Sequence, residues 1–380
     1  MRLKMLGAAG LLALAGCGSA GQSPGASLSP SPSAARKTLF AIATGLPGFQ
    51  LVNSYPLPDH ATVKIVDATG HVYAEASFVP PPAPNIGNAA PLLQSPVRTA
   101  GGAVFYADST GAVHRLKPDG STSVVATFPL SNAQQELGYA VSPDGAHLIA
   151  TVFSTPPLHN PPPQTLGDPI YQEGGHWTLR LETADAGGTT TTSLQRDLGT
   201  AYPSPTTIVG WDKSGPLATT LTQLGAQQAT PSSHLFGKLI HLAADGTHLD
   251  AVGGPDCAPA DELSDGTVVC DQDWQQFSVR SSSGAILWQA SFPSDNYYFG
   301  IWLSPDANAV AAQGIVVTRT SMASAARQNN GGQSQQIALG WLDSSTLVEA
   351  DQSGQLSLYE AHGFTKIRDL GVSGIFEGLI

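Results

Sequence analysis

The stretch GYAVSPDGAHLIAT, residues 138–151, decides the fold. Two apolar runs flank the turn Ser142–Gly145, in which Pro fixes φ, Asp bonds the backbone that follows and Gly takes the left-handed conformation. This pattern predicts two short antiparallel strands joined by a tight turn. The stretch Leu303–Asp306 repeats the turn, with Ala307 in the place of Gly.

Pairs of strands around such turns recur from Thr38 to the C-terminus in two alternating sets. In one set the turn follows a strand that often carries an aromatic residue, and in the other the turn joins two strands of alternating polar and apolar residues. Each alternation makes a four-stranded unit, and a period of about 40 to 50 residues with four strands is typical of β-propeller blades. About seven units are predicted, at residues 38–79, 95–129, 136–195, 205–253, 258–292, 297–332 and 335–371.

The segment Val141–Ala150 resembles the SPDG signature of WD40-like and TolB-like propeller repeats. The resemblance implies an all-β fold, a single β-propeller of about seven four-stranded blades over residues 38–380. Both Leu39–Thr44 and Ile375–Ile380 are candidates for the strand that closes the ring. A short helix is predicted only at Ser321–Gln328.

The N-terminus carries the features of a secretory signal. Residues 1–16 place Arg2 and Lys4 before about a dozen apolar residues, a run shorter than the roughly 20 residues that span a bilayer. The stretch Leu14–Cys17 resembles the lipobox of bacterial lipoproteins, which implies that Cys17 becomes the lipidated first residue of the mature protein. An ordinary signal peptide with an incidental Cys is the alternative.

Residues 17–37 form the predicted link between the lipid and the propeller. The segment 18–36 is mostly Gly, Ser, Pro and Ala, a composition that cannot bury enough surface to fold. We therefore expect a flexible tether that holds the propeller at the cell membrane, on the extracytoplasmic side. The formal net charge of −12 excludes an ordinary nucleic-acid-binding domain, which needs a basic surface.

Two insertions, Ser154–His176 and Thr222–Phe236, interrupt the spacing of the strands. Both are predicted to join the second and third strands of adjacent units, and both would then open on one face of the ring. Long loops on a rigid scaffold are where binding residues concentrate. The first insertion contains six prolines and five side chains suited to binding, which define the candidate binding face: His159, Asp168, Tyr171, Glu173 and His176. A tolerated insertion without a ligand is the alternative.

Cys257 and Cys270 form an even pair in an exported chain, and a disulfide is predicted between them. A hairpin turn at Asp265-Gly266 would place Asp261 opposite Cys270 and leave Cys257 four residues further along its strand. The disulfide therefore requires the chain at Pro255–Pro259 to fold back. Two free thiols are the alternative.

Local catalytic chemistry is sparse. The sequence has no H-E-x-x-H, Walker loop or Cys-x-x-Cys motif. Eight carboxylates lie between Lys238 and Arg280 with no Lys or Arg among them, and we interpret them as a solvated acidic edge, with a calcium site as the alternative. The segment Ser281–Trp288 resembles a quinoprotein-type blade, but it occurs once, and Trp288 is interpreted as core packing. No cofactor is predicted.

The sequence thus predicts a membrane-anchored lipoprotein whose propeller binds a protein or another cell-envelope ligand as a non-catalytic scaffold. One alternative is an enzyme of the lactonase, lyase or dehydrogenase type with a site in the central funnel, which would need a ring of His, Asp, Glu or Asn from at least three blades. The other is a carbohydrate or cell-wall binder, in which Tyr171, Trp177, Tyr297 or Tyr298 would line an exposed groove.

Overall fold

The computed structural model describes residues 37–46, 59–82, 95–157, 174–200, 206–220, 238–271, 276–292, 301–312, 314–324, 337–351 and 353–380. These residues form β-strands, turns and short links, and they contain no helix that could cross a bilayer. The expectation of an all-β fold is confirmed. The prediction of a helix at Ser321–Gln328 is wrong for its first half, because Met322–Ser324 is a strand that pairs with Ile315–Thr318. Residues Ala325–Gln328 lie outside the described residues.

Within the described ranges, twenty-eight strands form seven four-stranded antiparallel sheets, the seven blades of a β-propeller. Blade 1 contains β1 (Leu39–Thr44), β2 (Ala61–Asp67) and β3 (Val72–Phe78). Blade 2 contains β4 (Val97–Ala100), β5 (Ala103–Ala107), β6 (Ala112–Leu116) and β7 (Thr122–Thr127). Blade 3 contains β8 (Gln135–Val141), β9 (His147–Ser154), β10 (Trp177–Asp185) and β11 (Thr191–Gly199). Blades 4 and 5 take β12 (Thr206–Asp212), β13 (Gly215–Thr220), β14 (Leu239–Leu242) and β15 (His248–Ala251); and β16 (Ala258–Glu262), β17 (Val268–Asp271), β18 (Gln276–Arg280) and β19 (Ile286–Ser291). Blades 6 and 7 take β20 (Trp302–Leu303), β21 (Ala309–Ala312), β22 (Ile315–Thr318) and β23 (Met322–Ser324); and β24 (Ile337–Asp343), β25 (Thr346–Ala350), β26 (Gln355–Glu360) and β27 (Thr365–Ser373). The last strand, β28 (Ile375–Leu379), returns to blade 1.

The ring closes through both ends of the propeller sequence. Strand β28 is the first strand of blade 1 and pairs with β1, with Ala41 opposite Gly378. Ile380 N donates to Leu39 O at 2.9 Å. The unit predicted at 38–79 therefore supplies three strands, and the C-terminal strand supplies the fourth.

Every seam between neighbouring blades contains its own cluster of buried apolar side chains. Successive residues of a strand point to opposite faces of the sheet, so that each strand contributes side chains to two seams. In β1, Phe40 and Ile42 pack against blade 7, whereas Ala41 and Ala43 pack against blade 2. Burial on both faces explains why many strands are continuous apolar runs. The seven seams thus bury the apolar side chains of neighbouring blades against each other.

The first strand of each blade lies innermost, where it neighbours the first strands of the adjacent blades. Polar side chains tie these strands together across the seams. Arg98 donates from Nε to Tyr139 O at 3.1 Å, and the Tyr139 hydroxyl donates back to Pro96 O at 2.9 Å. Trp341 likewise donates its indole N–H to Trp302 O at 3.2 Å. The inner ring is therefore held by directional bonds as well as by packing.

Two faces of the ring follow from the antiparallel order of the strands. The lower face is the side of the ring that carries the links between the first and second strands and between the third and fourth strands of each blade. The upper face is the side that carries the links between the second and third strands and the links from one blade to the next. The turn Ser142–Gly145 lies on the lower face, where Gly145 N donates to Ser142 O at 2.7 Å and Asp144 accepts from Ala146 N at 3.0 Å. Ala307 takes the left-handed conformation at φ 57° where the first turn has Gly145 at φ 73°.

The outer turns of blades 1, 3 and 5 also contact the blade before them. Gly187, between β10 and β11, donates its N–H to Val125 O of blade 2 at 2.7 Å, and Gly253, which follows β15, donates to Ser282 O of blade 5 at 3.3 Å. Gly70 has φ 82° and packs so closely on Leu370 O of blade 7 that a Cβ there would overlap it. At Gly70 the absence of a Cβ permits this backbone-to-backbone approach.

The predicted disulfide is present, with the Cα atoms of Cys257 and Cys270 5.1 Å apart. The predicted register was wrong: Pro259 lies opposite Cys270 and Asp261 opposite Val269, with a bulge between Pro259 and Asp261. The bulge and a wider turn, closed by Leu263 N to Thr267 O at 2.8 Å, shift the strand and bring Cys257 beside its partner.

Candidate functional site

The flanks of the two insertions lie where the sequence predicts them, between second and third strands of adjacent blades. In blade 3, Ser154 at the end of β9 pairs with Thr178 of β10, and in blade 4, Thr219 of β13 pairs with Leu239 of β14. Both insertions therefore begin and end on the upper face. His159, Asp168, Tyr171 and Glu173 lie outside the described residues, as does the segment 221–237.

His176 is the one member of the candidate binding face among the described residues. Its side chain is 54% exposed, and its Nδ1 lies 2.7 Å from Asp197 Oδ2 across the strand pair β10 and β11. The N–H of Gly199, at 2.8 Å, and His176 hold the pKa of Asp197 below its ordinary value. In the neutral ring, an Nδ1–H that donates to Asp197 leaves Nε2 as the nitrogen that can accept a hydrogen bond or bind a metal.

The residues that flank the first insertion are held by ring stacking and hydrogen bonds. Trp177, at the start of β10, is 3% exposed and stacks on Phe153 with ring centroids 5.4 Å apart. Gln135 donates from Nε2 to Ser154 Oγ at 3.0 Å and accepts from Ser131 N at 2.6 Å. Because Trp177 is buried, it does not line an exposed groove, and the carbohydrate-binding alternative loses one of its four aromatic residues. Tyr171, Tyr297 and Tyr298 lie outside the described residues.

A second polar cluster joins the inner strands of blades 1, 2 and 3. Besides Tyr139 O, Arg98 donates from Nη1 to Ser95 O at 2.7 Å. Glu377, on β28, interacts electrostatically with Arg98 and hydrogen-bonds with Ser95. Burial raises the pKa of Glu377 to about 7, against the opposing effects of Ser95 and Arg98. The cluster joins the strand that closes the ring to its neighbours.

A third cluster crosses two seams through consecutive residues of β16. The carboxyl of Glu262 hydrogen-bonds with Asp212 of blade 4, and Asp212 Oδ2 lies 3.0 Å from His241 Nε2. Asp261 points into the opposite seam, between blades 5 and 6, where its Oδ2 accepts a hydrogen bond from Leu303 N at 2.7 Å. Blade 5 is thus tied to both neighbours by carboxyl groups.

The buried carboxyls of the seams have pKa values above their ordinary range. Burial, with the charges of Asp212 and Asp261, raises the pKa of Glu262 to about 9. Burial raises the pKa of Asp261 to about 7 and those of Glu136 and Glu349 to about 8. Carboxyls with such pKa values can donate or accept a proton near neutral pH.

These clusters revise the interpretation of the acidic run. Asp245, Asp250, Asp256 and Asp265 are exposed, as expected for a solvated edge, but Asp261 and Glu262 turn into the seams. Among the described residues no three His, Cys, Asp or Glu side chains are grouped to hold a metal ion. The acidic and His side chains that meet around Asp212 come from blades 4 and 5, short of the three blades that the enzyme alternative requires.

The sequence analysis did not single out the Asp212–Glu262 and Arg98–Glu377 contacts. The adjacent acids Asp261 and Glu262 in an otherwise apolar strand were a signal, since a charged residue in a strand buried on both faces needs a partner. The partners themselves depend on how the blades stack, which strand patterns do not reveal.

No protein-family model matches the chain, and no curated protein matches its sequence. Solved structures match its fold. An oligogalacturonate lyase in complex with manganese is 11% identical, with a TM-score of 0.45 over 84% of this chain and 89% of that one. The dihydro-heme d1 dehydrogenase NirN is 13% identical, with a TM-score of 0.44 over 90% and 75%. Sqt1 of Saccharomyces cerevisiae is 12% identical, with a TM-score of 0.42 over 90% and 88%. At these identities the likeness concerns the propeller fold and assigns no activity.

Proposed function

We propose that this protein is an extracytoplasmic lipoprotein, anchored to the cell membrane through Cys17, whose propeller binds a protein or another envelope ligand without catalysing a reaction. The binding face is the upper face of blades 3 and 4, with His159, Asp168, Tyr171, Glu173 and His176 as its candidate residues. The signal-like residues 1–16 and the stretch Leu14–Cys17 support the anchor.

The observation that carries the binding face is the position of the two insertions. They join corresponding strands of adjacent blades, and the packing of Ile149 and Leu181 on Ile208 and Ile240 joins those blades in one seam. Two long links that begin side by side on a rigid support can form a single surface. A rigid support limits the entropy lost on binding, because the blades that hold the two links do not have to rearrange.

The anchor is tested by the change Cys17→Ser. We expect the variant to lose palmitate labelling and, if it is cleaved elsewhere, to appear in the soluble fraction, because acyl chains contribute about 0.8 kcal/mol per buried CH₂ to membrane binding. Membrane fractionation and acyl labelling measure both effects. Unchanged acyl labelling would refute the assignment of Cys17.

The binding face is tested by photo-crosslinking in intact cells. A photoreactive amino acid at Tyr171 is expected to give discrete adducts, whereas the same amino acid at Ser344, an exposed residue of the lower face, is expected to give none of them. Replacement of residues 158–173 by a Gly-Ser linker should abolish the adducts of a third photoreactive position, His176. Adducts shared by Tyr171 and Ser344, or unaffected by the replacement, would contradict this face.

A further inference from the structure

The chain enters the propeller on the lower face. Lys37 precedes β1, which runs from the lower to the upper face, and Lys37 Nζ donates to the Tyr73 hydroxyl at 2.7 Å. The same Nζ lies 3.7 Å from Asp67 Oδ2, at the lower-face turn between β2 and β3. Ile380, which bonds to Leu39, ends the chain at the same place. The N-terminal tether is therefore joined to the lower face.

The insertions of blades 3 and 4 begin and end on the opposite face. Two described turns mark the level of that upper face, one in blade 2 and one in blade 7. They are Asp108–Gly111, between β5 and β6, and Asp351–Gly354, between β25 and β26. The candidate binding face and the attachment of the tether are thus on opposite sides of the ring.

The length of the tether is comparable to the size of the propeller. From Cys17 to Lys37 the chain advances 37 − 17 = 20 residues, for which a flexible coil has a root-mean-square span of roughly 25 Å. A compact domain of the length of Lys37–Ile380 has a radius of gyration of about 20 Å. A segment with the flexibility that its composition predicts would keep the lower face nearest to a lipidated Cys17.

We propose that the propeller is displayed with its lower face toward the bilayer and its upper face toward the aqueous space, an inference that rests on the lipidation of Cys17 in the proposed function. The partner of the upper face then reaches it through the aqueous phase and is not a lipid of the membrane that holds the anchor.

The charge of the lower face favours a gap between this face and the lipid. Its exposed turns carry carboxylates, among them Asp119, Asp144, Asp245, Asp265 and Asp343. Anionic headgroups repel these carboxylates within a screening length of about 8 Å at physiological salt. The tether, rather than adhesion to lipid, therefore sets the orientation.

The orientation is tested by energy transfer from dyes on the two faces to a rhodamine-labelled lipid. The lipidated full-length protein is reconstituted into phosphatidylcholine vesicles, with a single dye on an introduced Cys. Ser121→Cys and Ser344→Cys label the lower face, and Ser109→Cys and Ser353→Cys label the upper face of the same two blades. The introduced thiol is the reactive one, because Cys17 is acylated and Cys257 and Cys270 form a disulfide.

We expect transfer from the lower-face dyes to exceed transfer from the upper-face dyes by about twofold or more, since the faces differ in distance from the lipid by a length comparable to the tether. The same labels in a Cys17→Ser background should give no transfer. Equal or reversed transfer from protein that floats with the vesicles would overturn the orientation while leaving the anchor intact. Protein that does not float would overturn the anchor, and the orientation with it.

Discussion

The raised pKa of Glu262 predicts that the stability of the seam between blades 4 and 5 depends on pH. Its carboxyl bonds to Asp212, and two carboxylates in contact cannot both be ionised without strong repulsion. Burial and Asp212 raise the pKa of Glu262 to about 9, above the value of about 4.3 expected in the unfolded chain. The folded chain thus keeps a proton that the unfolded chain loses, so this residue's contribution to stability decreases as the pH rises between these values.

The change Glu262→Gln tests this effect. Gln keeps an N–H donor toward Asp212 but has no proton to lose, so the melting temperature of the variant should rise relative to that of the parent as the pH rises from 6 to 9. The limiting slope is about 1.4 kcal/mol per pH unit. Thermal unfolding at a series of pH values measures it, with Glu360→Gln in an exposed turn as control. A difference between variant and parent that does not change with pH would contradict a shared proton.

Gly138, on the inner strand of blade 3, allows that strand to approach blade 4. A Cβ at this position would lie 2.8 Å from Ile208 O and overlap Thr207 Oγ1. Gly138→Ala should therefore destabilise the fold by about 1–3 kcal/mol, as overpacking does in other cores. Urea unfolding measures the loss.

Gly210 is the matched control for Gly138. It lies on the inner strand of blade 4, and a Cβ there would meet only Leu217 Cδ1, at an ordinary 3.6 Å. Gly210→Ala should change the unfolding free energy by less than about 1 kcal/mol. Equal losses in the two variants would show that the approach of the strands does not limit this position.

Single residues were predictable where their role is local. The turn around Asp144 follows from the chemistry of Pro, Asp and Gly, and the structure contains the bonds expected of it. Trp288 was correctly interpreted as packing, since it is 9% exposed and donates to Ala307 O of the next blade at 2.8 Å. The partner of Glu262 was not predictable, because it is supplied by a strand about fifty residues earlier in another blade.

At the scale of elements, the disulfide fixes the link between blades 4 and 5 to strand β17. Its two Cys are 13 residues apart and buried, and a closed loop of about this size stabilises a fold by about 3 kcal/mol. Reductant should therefore lower the urea midpoint of the parent chain but not that of a Cys257→Ala, Cys270→Ala double variant. Equal midpoints of the parent with and without reductant would show that the bond contributes nothing.

Strand positions were predictable because each strand carries its own pattern, whereas register was not. The bulge before Asp261 changes which residues face each other without changing which residues are in strands. The closure of the ring likewise could not be predicted from the patterns of single strands. Both terminal segments had the composition of a strand, and only their pairing with each other shows that both are used.

At the scale of the molecule, the two ends of the propeller are neighbours. Because Ile380 bonds to Leu39, a short Gly-Ser linker between Ile380 and Lys37, with new ends between Ser344 and Ser345, should give a circular permutant with a melting temperature within a few degrees of the parent. Circular dichroism and thermal unfolding measure the outcome. A permutant that fails to fold would contradict the observed closure.

A truncation after Gly374 is the complementary control. It removes β28 and with it Phe376, which packs on Phe40 in the seam with blade 7. The edge of β1 is then left unpaired, and such edges pair with other chains. We expect this variant to aggregate or to remain unfolded under conditions in which the permutant folds.

The position of β1 also decides how the propeller bears a force applied at Lys37. Strand β1, which follows Lys37, has β28 on one side and β2 on the other, so tension applied through Lys37 loads two hydrogen-bond ladders at once, along their length. Shear across two ladders requires many bonds to break together, whereas an edge strand can be peeled away bond by bond. A pull applied at Lys37 is thus resisted by both ladders of β1 together.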